Sequence, residues 1–273
     1  MPVISTNNAA NSALNYLNNN SNTESSKLAQ LASGSRIVNA SDDAAGLAIG
    51  TQLQASVTTY SQDETNVQQG TAILQTTDGA LAQISNILQR MMSLATEAGS
   101  GQVTNTQRTQ DINTEYSQLQ SEVTSIVSST RYASQNVLSG SFLQAVNFLV
   151  GTTSADTVNV TIGSVSLNSL GVTGSVTTAS DALTAITNIN SAINTVTQER
   201  AKIGAYESRF NFSLQDIQTN VQNISSAQSV IMDADVASVK SSLSSTDVKT
   251  QASVAALSQA SQLPQELLRL IQS

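Results

Sequence analysis

The most conspicuous carboxylates in the chain are the adjacent Asp42 and Asp43, and a second acidic pair, Asp233 and Asp235, stands just before Val236. Paired carboxylates can hold a cation or divide acid and base roles between them. Either use needs further ligands or a partner base, and none stands nearby in the sequence. The 273 residues include no His and no Cys. That removes imidazole acid–base chemistry, Ser-His-Asp triads, thiolate nucleophiles and the usual zinc sites. Helix capping is the simpler use of both pairs. Ser41 or Asp42 is expected to cap a helix starting near Ala44, with the carboxylates complementing its dipole, and Asp233 and Asp235 read in the same way. No catalytic, cofactor-binding or metal site is expected, and the sequence points away from an enzyme.

The chain is rich instead in helical patterning. Apolar residues recur at 4-3-4-3 spacing, as in packed helices. Ile112, Tyr116, Leu119, Val123 and Ile126 form one such stripe, and Phe210, Leu214, Ile217, Val221 and Ile224 another. Leu81, Ile84, Leu88, Met91 and Ala95 form a third, widened by Ile87 and Leu94. Leu183, Ile186, Ile189, Ile193, Val196 and Ile203 predict a helix over about 181–204 that runs on to about 230. A weaker stripe (Ile49, Leu53, Tyr60, Val67, Leu74) covers 44–76. Gly99, Ser100 and Gly101 break the helices near 80–97 and 104–128. Between about 136 and 178 the period falls to two. Val146, Phe148 and Val150, then Val158, Val160 and Ile162, read as a β-hairpin around Gly-Thr-Thr-Ser-Ala-Asp, followed by looser strand and turn. The expected fold class is mainly α with a small β insert: long antiparallel helices plus a β-hairpin region.

Composition agrees with thin helical cores. Aromatics are 3% of the chain, Trp is absent, and Pro occurs only at Pro2 and Pro264. Cores of Ala, Leu, Ile and Val suit bundles and coiled coils. The net charge of −8 and singly scattered Lys and Arg argue against nucleic-acid binding. No apolar run approaches the roughly 20 residues of a membrane span. The opening MPVISTNNAANSAL lacks a basic segment followed by an apolar one, so it does not read as a Sec signal peptide. Ser and Thr richness over 152–180 suits either O-glycosylation or simply strands and turns.

The two ends are helix-patterned but apolar-poor. Residues 4–35 offer Ile4, Leu14, Leu17, Leu28 and Leu31, and the C-terminal arm offers Val236, Val239, Leu243, Leu257, Ala260, Leu267 and Ile271. A buried group of this size contributes about 1.5–3 kcal/mol, while each ordered backbone costs about 1–2 kcal/mol before hydrogen bonding. Arms of this kind need a partner to fold, which suits coupled folding and assembly.

Several segments resemble one family. SGSRIVNASDDAAGLAIGTQLQ (33–54) is similar to the flagellin signature G-x-R-I-N-x-A-x-D-D-A-A-G-x-A-I. ISNILQRMMSLATEAGSG (84–101) and STRYASQNVLSG (129–140) are similar to its I-x-x-x-L-Q-R-x-R-E-L and T-x-F-N-x-x-x-L-L-x-G segments. QERAKIGAYESRFNFSLQDIQTNVQNISSAQSVIMDADVA (198–237) and the ending SQASQLPQELLRLIQS match its second half. The matches are ordered and bracket an unmatched middle of about 40 residues.

The resemblance to bacterial flagellins implies a short form with two domains, D0 and D1. Residues 1–42 and 233–273 would be the D0 arms, 43–180 the N-terminal D1 helices with the hairpin insert, and 181–232 the C-terminal D1 helix. It implies a structural subunit that polymerises into the flagellar filament for motility. Leu14, Leu17, Leu28, Leu31, Leu257, Leu267 and Ile271 would serve as assembly positions. The implied partners are other copies of the chain, an export chaperone, and filament cap and hook-associated proteins. The implied route is type III export to an extracellular flagellum. A contact with the innate receptor Toll-like receptor 5 maps to Arg90, Leu94 and Glu115. Met92 and Ser93 stand where the family motif has Arg and Glu, which predicts a weakened contact and favours a structural use of this face. The rival readings are a hook–filament junction protein of flagellin-like fold and a chemoreceptor-like coiled-coil signalling hairpin. The family's metalloprotease-bearing variants need H-E-x-x-H, which a chain without His cannot supply.

Overall fold

The computed structural model describes residues 7–139 and 146–272, with side chains as far as 262. Ile4 and the side chains of Leu267 and Ile271 therefore lie outside the described residues. In chain order the elements are helices α1 (Asn8–Ser33), α2 (Ala44–Gly99) and α3 (Asn105–Gln107), then a π-helical turn (Arg108–Ile112) and α4 (Asn113–Ser129). Strands β1 (Arg131–Tyr132), β2 (Gln135–Asn136), β3 (Val146–Leu149) and β4 (Thr157–Val160) follow, and α5 (Ala179–Met232) and α6 (Val236–Gln272) complete the chain. The architecture is mainly α with a small β insert. The stripes expected over 44–76 and 80–97 belong to one uninterrupted helix, α2.

Two compact units divide within α2 and α5: residues 1–55 with 223–273, and residues 56–222. In the first, α1 begins where the Asn7 side chain accepts from the Ala10 N–H at 3.1 Å. It ends at Gly34, whose φ of 71° is the left-handed closure that glycine adopts freely. The linker after Gly34 pairs with the linker before α6. Ser35 bridges Asp233, the Arg36 N–H donates to the Met232 carbonyl at 2.6 Å, and the Ala234 N–H donates to the Gly34 carbonyl at 2.9 Å.

The same linker shows why the D-D-A-A-G-x-A-I-G pattern has its glycines. A Cβ on Gly46 would meet the Ile37 side chain at 2.8 Å, and one on Gly50 would lie 2.7 Å from Met232 Cγ. Both glycines let a neighbouring chain pass close to α2.

The second unit holds the large apolar cluster of the described residues. Leu81, Ile84, Leu88, Met91 and Ala95 of α2 all face it, with Tyr116 and Val123 of α4 and Ile189, Val196, Ile203, Phe210 and Ile217 of α5. On α5 the fully buried line includes Ala182 and Ala185, whereas Leu183, counted in the expected stripe, is exposed. The β3–β4 hairpin, expected from the alternation, pairs Val146 with Val160 and Phe148 with Val158. Phe148 meets Phe210 edge to face at 5.3 Å, which seats the hairpin on α5. A second, two-residue hairpin, β1–β2, turns through Ala133 and Ser134, both at positive φ. The stretch expected as loose strand and turn forms no strand over 163–178. It buries Val165, Leu170, Val172 and Val176 in the core and is tied to α4 by Gln120, whose Nε2 donates to the Val172 and Gly174 carbonyls.

Candidate functional site

The acidic pairs are structural. Asp43, rather than Ser41 or Asp42, caps α2: its Oδ1 accepts from the Gly46 N–H at 2.8 Å. Asp42 sits one residue too early for that bond and instead closes the preceding turn, accepting from the Val38 and Asn39 N–H groups. Asp235 caps α6 by accepting from Ala237 and Ser238, while Asp233 accepts from the Ser229 hydroxyl. Among the described residues no three acidic side chains are grouped so as to hold a metal ion, and no helix is long and apolar enough to cross a membrane.

The arms form the surface that asks for a partner. Asn7 reaches Ala260, Asn20 reaches Ser253 and Thr250 reaches Glu24, so α1 and α6 run antiparallel. Those cross-links are polar, and the apolar filling is thin. Among the described residues of this unit only Ile37, Val239 and Ala260 are fully buried hydrophobics. Leu17, Leu31 and Leu257 are half-buried at the helix pair, but Leu14 and Leu28 are exposed. Tyr16, Val248 and Val254 are exposed as well, Tyr16 at 66%. A single exposed large apolar side chain is unremarkable; these stand on more than one face of α1 and α6, at a helix pair with little apolar filling among its described residues.

The three positions mapped to receptor contact separate. Arg90 Nη2 lies 2.7 Å from Glu115 Oε1, joining α2 to α4 in an exposed ion pair. Leu94 is 2% exposed and packs inward with Met91 and Ala95, so it offers no side chain to a partner. Ser93 is exposed and Met92 rests partly on the core.

Several positioning residues escaped the sequence reading. Arg108 is buried in the π turn, where Nε donates to the Ala98 carbonyl at 2.6 Å and Nη2 to those of Ser100 and Val103. It satisfies the carbonyl end of α2 and sets the return into α4. Asn136 closes α4 through the Val127 carbonyl and accepts from Leu138 and Ser139. Glu199, buried on α5, accepts from the Gly163 N–H, and Arg200 grips Asp78 with two hydrogen bonds between α5 and α2. Burial of Tyr116 pushes its phenol up to about 12. The charge and type of these residues were visible, but their partners are mostly main-chain groups that leave no trace in the sequence.

With this geometry in hand, the comparisons are consistent. The family profile described as the bacterial flagellin N-terminal helical region matches residues 4–142, and that of the C-terminal helical region matches 186–271. The flagellar filament 30.7 kDa core protein of Treponema maltophilum is 33% identical over 257 residues, covering 89% of this chain and 90% of the relative. A flagellin of Bacillus subtilis is 30% identical over 296 aligned residues, covering 96% and 97% respectively. The crystal structure of Bacillus cereus flagellin superposes with a TM-score of 0.51 at 29% identity, covering 60% of this chain and 94% of that one.

Proposed function

The chain belongs to the bacterial flagellin family, and we propose on that premise that it is a structural subunit of a flagellar filament whose terminal arms complete their packing on neighbouring copies. One observation carries this reading. The antiparallel α1–α6 pair leaves Leu14, Tyr16, Leu28, Val248 and Val254 uncovered, while its described residues bury almost no large side chain. Each such group gains about 1.5–3 kcal/mol when a neighbour covers it. A contact between unlike surfaces of identical subunits, repeated without ring closure, builds a helical polymer. The names of the relatives, flagellin and filament core protein, favour a filament role over a junction protein or a signalling hairpin.

The finer assignments follow from the same premise. Residues 1–42 and 233–273 act as the D0 arms and the intervening helices and hairpin as D1. Export runs through the flagellar type III channel to an extracellular filament, with a chaperone on the C-terminal arm and cap and hook-associated proteins as further partners. The work of the protein is packing, not catalysis. Recognition by Toll-like receptor 5 would rest on Arg90 and Glu115, with Leu94 supporting them from beneath, and is weakened by Met92 and Ser93.

The test is polymerisation. Purified full-length monomer is concentrated in ammonium sulphate beside a version lacking about the last 30 residues and viewed by negative-stain electron microscopy. Long filaments from the intact chain alone are expected. Only short oligomers from both would turn the reading towards a junction protein.

A further inference from the structure

Tyr116 packs in the core of the 56–222 unit with one polar atom left over. The residue is 1% exposed, and its hydroxyl makes no hydrogen bond among the described residues. Among those residues Asp63 Oδ2 is the one fully enclosed side-chain oxygen or nitrogen without a partner, so the Tyr116 hydroxyl is not sealed in. It opens at the floor of a cleft of about 290 Å³ between α4, α5 and the 171–175 loop. A tyrosine this buried ordinarily gives its hydroxyl a partner. The partner missing here belongs to whatever fills the cleft.

Two polar groups of α5 converge on the same space with capacity unused. The Asn188 side chain is half-buried and makes no hydrogen bond among the described residues. Asp181 accepts from the Thr177 hydroxyl through Oδ2 at 3.3 Å, and its Oδ1 is open. About two helical turns separate Asp181 from Asn188, so both stand on one face of α5. Val172 and Ala185, at 1% and 4% exposure, give the walls their apolar part. The loop wall is pinned from α4, where Gln120 Nε2 donates to the Val172 carbonyl at 2.9 Å and to the Gly174 carbonyl at 2.7 Å. The cleft is therefore formed before any ligand arrives.

These groups define what fits. The carboxylate of Asp181 disfavours an anion. Its Oδ1 accepts, the Asn188 amide both donates and accepts, and the phenol can do either. Adjacent hydroxyl groups answer such a set, because each of them donates and accepts in turn. The volume equals roughly ten waters at about 30 Å³ each, which suits a ligand of about that many non-hydrogen atoms. We propose that the cleft binds a small neutral polyol, a pentose or hexose, through Tyr116, Asp181 and Asn188.

The test titrates the ¹⁵N-labelled full-length monomer with D-ribose, D-glucose, inorganic phosphate and ethylammonium, followed by two-dimensional NMR. Ribose or glucose should shift the amides of 171–175 and 181–188 and the Asn188 side-chain amide saturably, with a Kd of about millimolar order. Phosphate and ethylammonium should leave them in place. Asn188→Ala should weaken binding roughly tenfold, and Tyr116→Phe, which keeps the ring, by roughly three- to tenfold. The other amides of both variants should stay where they are in the wild type, which separates lost contacts from lost fold. No saturable shift from either sugar would overturn the proposal, leaving a cleft that holds water only. A stronger response to phosphate or ethylammonium, or unchanged binding by both variants, would overturn it too. Because the sample is the monomer, an empty cleft leaves the filament reading standing, and a chain that fails to polymerise can still be tested for the sugar.

Discussion

Arg108 donates from Nε to the main-chain carbonyl of Ala98 at 2.6 Å, so a buried guanidinium, not a glycine, closes the carbonyl end of the 56-residue helix α2. Two further carbonyls, those of Ser100 and Val103, accept from Nη2 of the same side chain. The π turn that begins at Arg108 brings it under that helix end. The Arg108 side chain thus ties the end of α2 to the turn that leads into α4, beside the Thr104–Gln107 capping box.

Arg108→Ala should accordingly lower the stability of the 56–222 unit by about 2–4 kcal/mol, since it takes the charged donor from the buried Ala98 carbonyl and from two part-buried ones. Arg108→Lys should restore only a minor part, because an ammonium lacks the planar fork that reaches several acceptors at once. Thermal unfolding followed by circular dichroism reads both. Equal stability of Arg108→Ala and wild type would show that solvent replaces the guanidinium without loss.

Gly50 and Met232 make a second checkable contact, in the 1–55 and 223–273 unit. Gly50→Ala should destabilise that unit by about 1–3 kcal/mol, the usual effect of overpacking, because its Cβ would fall 2.7 Å from Met232 Cγ. Met232→Ala in the same chain should relieve the clash, so the double variant should be more stable than the two single effects predict. Additive losses would mean that the two residues do not press on each other.

Much of this was legible beforehand. The stripe Leu81, Ile84, Leu88, Met91 and Ala95 is buried throughout, because a 3.6-residue period specifies which face meets the core. The β3–β4 hairpin was legible from alternation, while its register comes from the structure. The α2 cap was expected at Ser41 or Asp42, since Ser41, Asp42 and Asp43 all have oxygens suited to the task and only backbone geometry selects Asp43. Leu94 carried two competing readings, core stripe and contact residue, and the structure gives it to the core. Asp63 and Arg108 could not be read at all. Nothing in the sequence says that a carboxylate oxygen at position 63 will be buried without a partner, or that a lone arginine will serve three carbonyls.

Tyr116 gives a prediction at the alkaline end. Burial raises its phenol from 10.0 to about 12, so its contribution is intact below pH 10 and is lost as pH climbs through about 12. Wild type should therefore lose stability over that interval relative to Tyr116→Phe, which has no proton to release. Tyrosinate absorbance at 295 nm should show one tyrosine that ionises only with unfolding, a step absent from Tyr116→Phe. A wild-type titration with no late-ionising tyrosine would contradict the burial argument.

The central claim is that α1 and α6 are completed by neighbouring copies. Hydrogen exchange of their amides, compared between dilute full-length monomer and the assembled filament, tests it most directly. Amides of α1 and α6 should exchange quickly in the monomer and become strongly protected in the filament, while those around Leu88, Tyr116 and Ile203 are protected in both. Equal protection of α1 and α6 in monomer and filament would show that the arms hold their own structure, and would contradict the account.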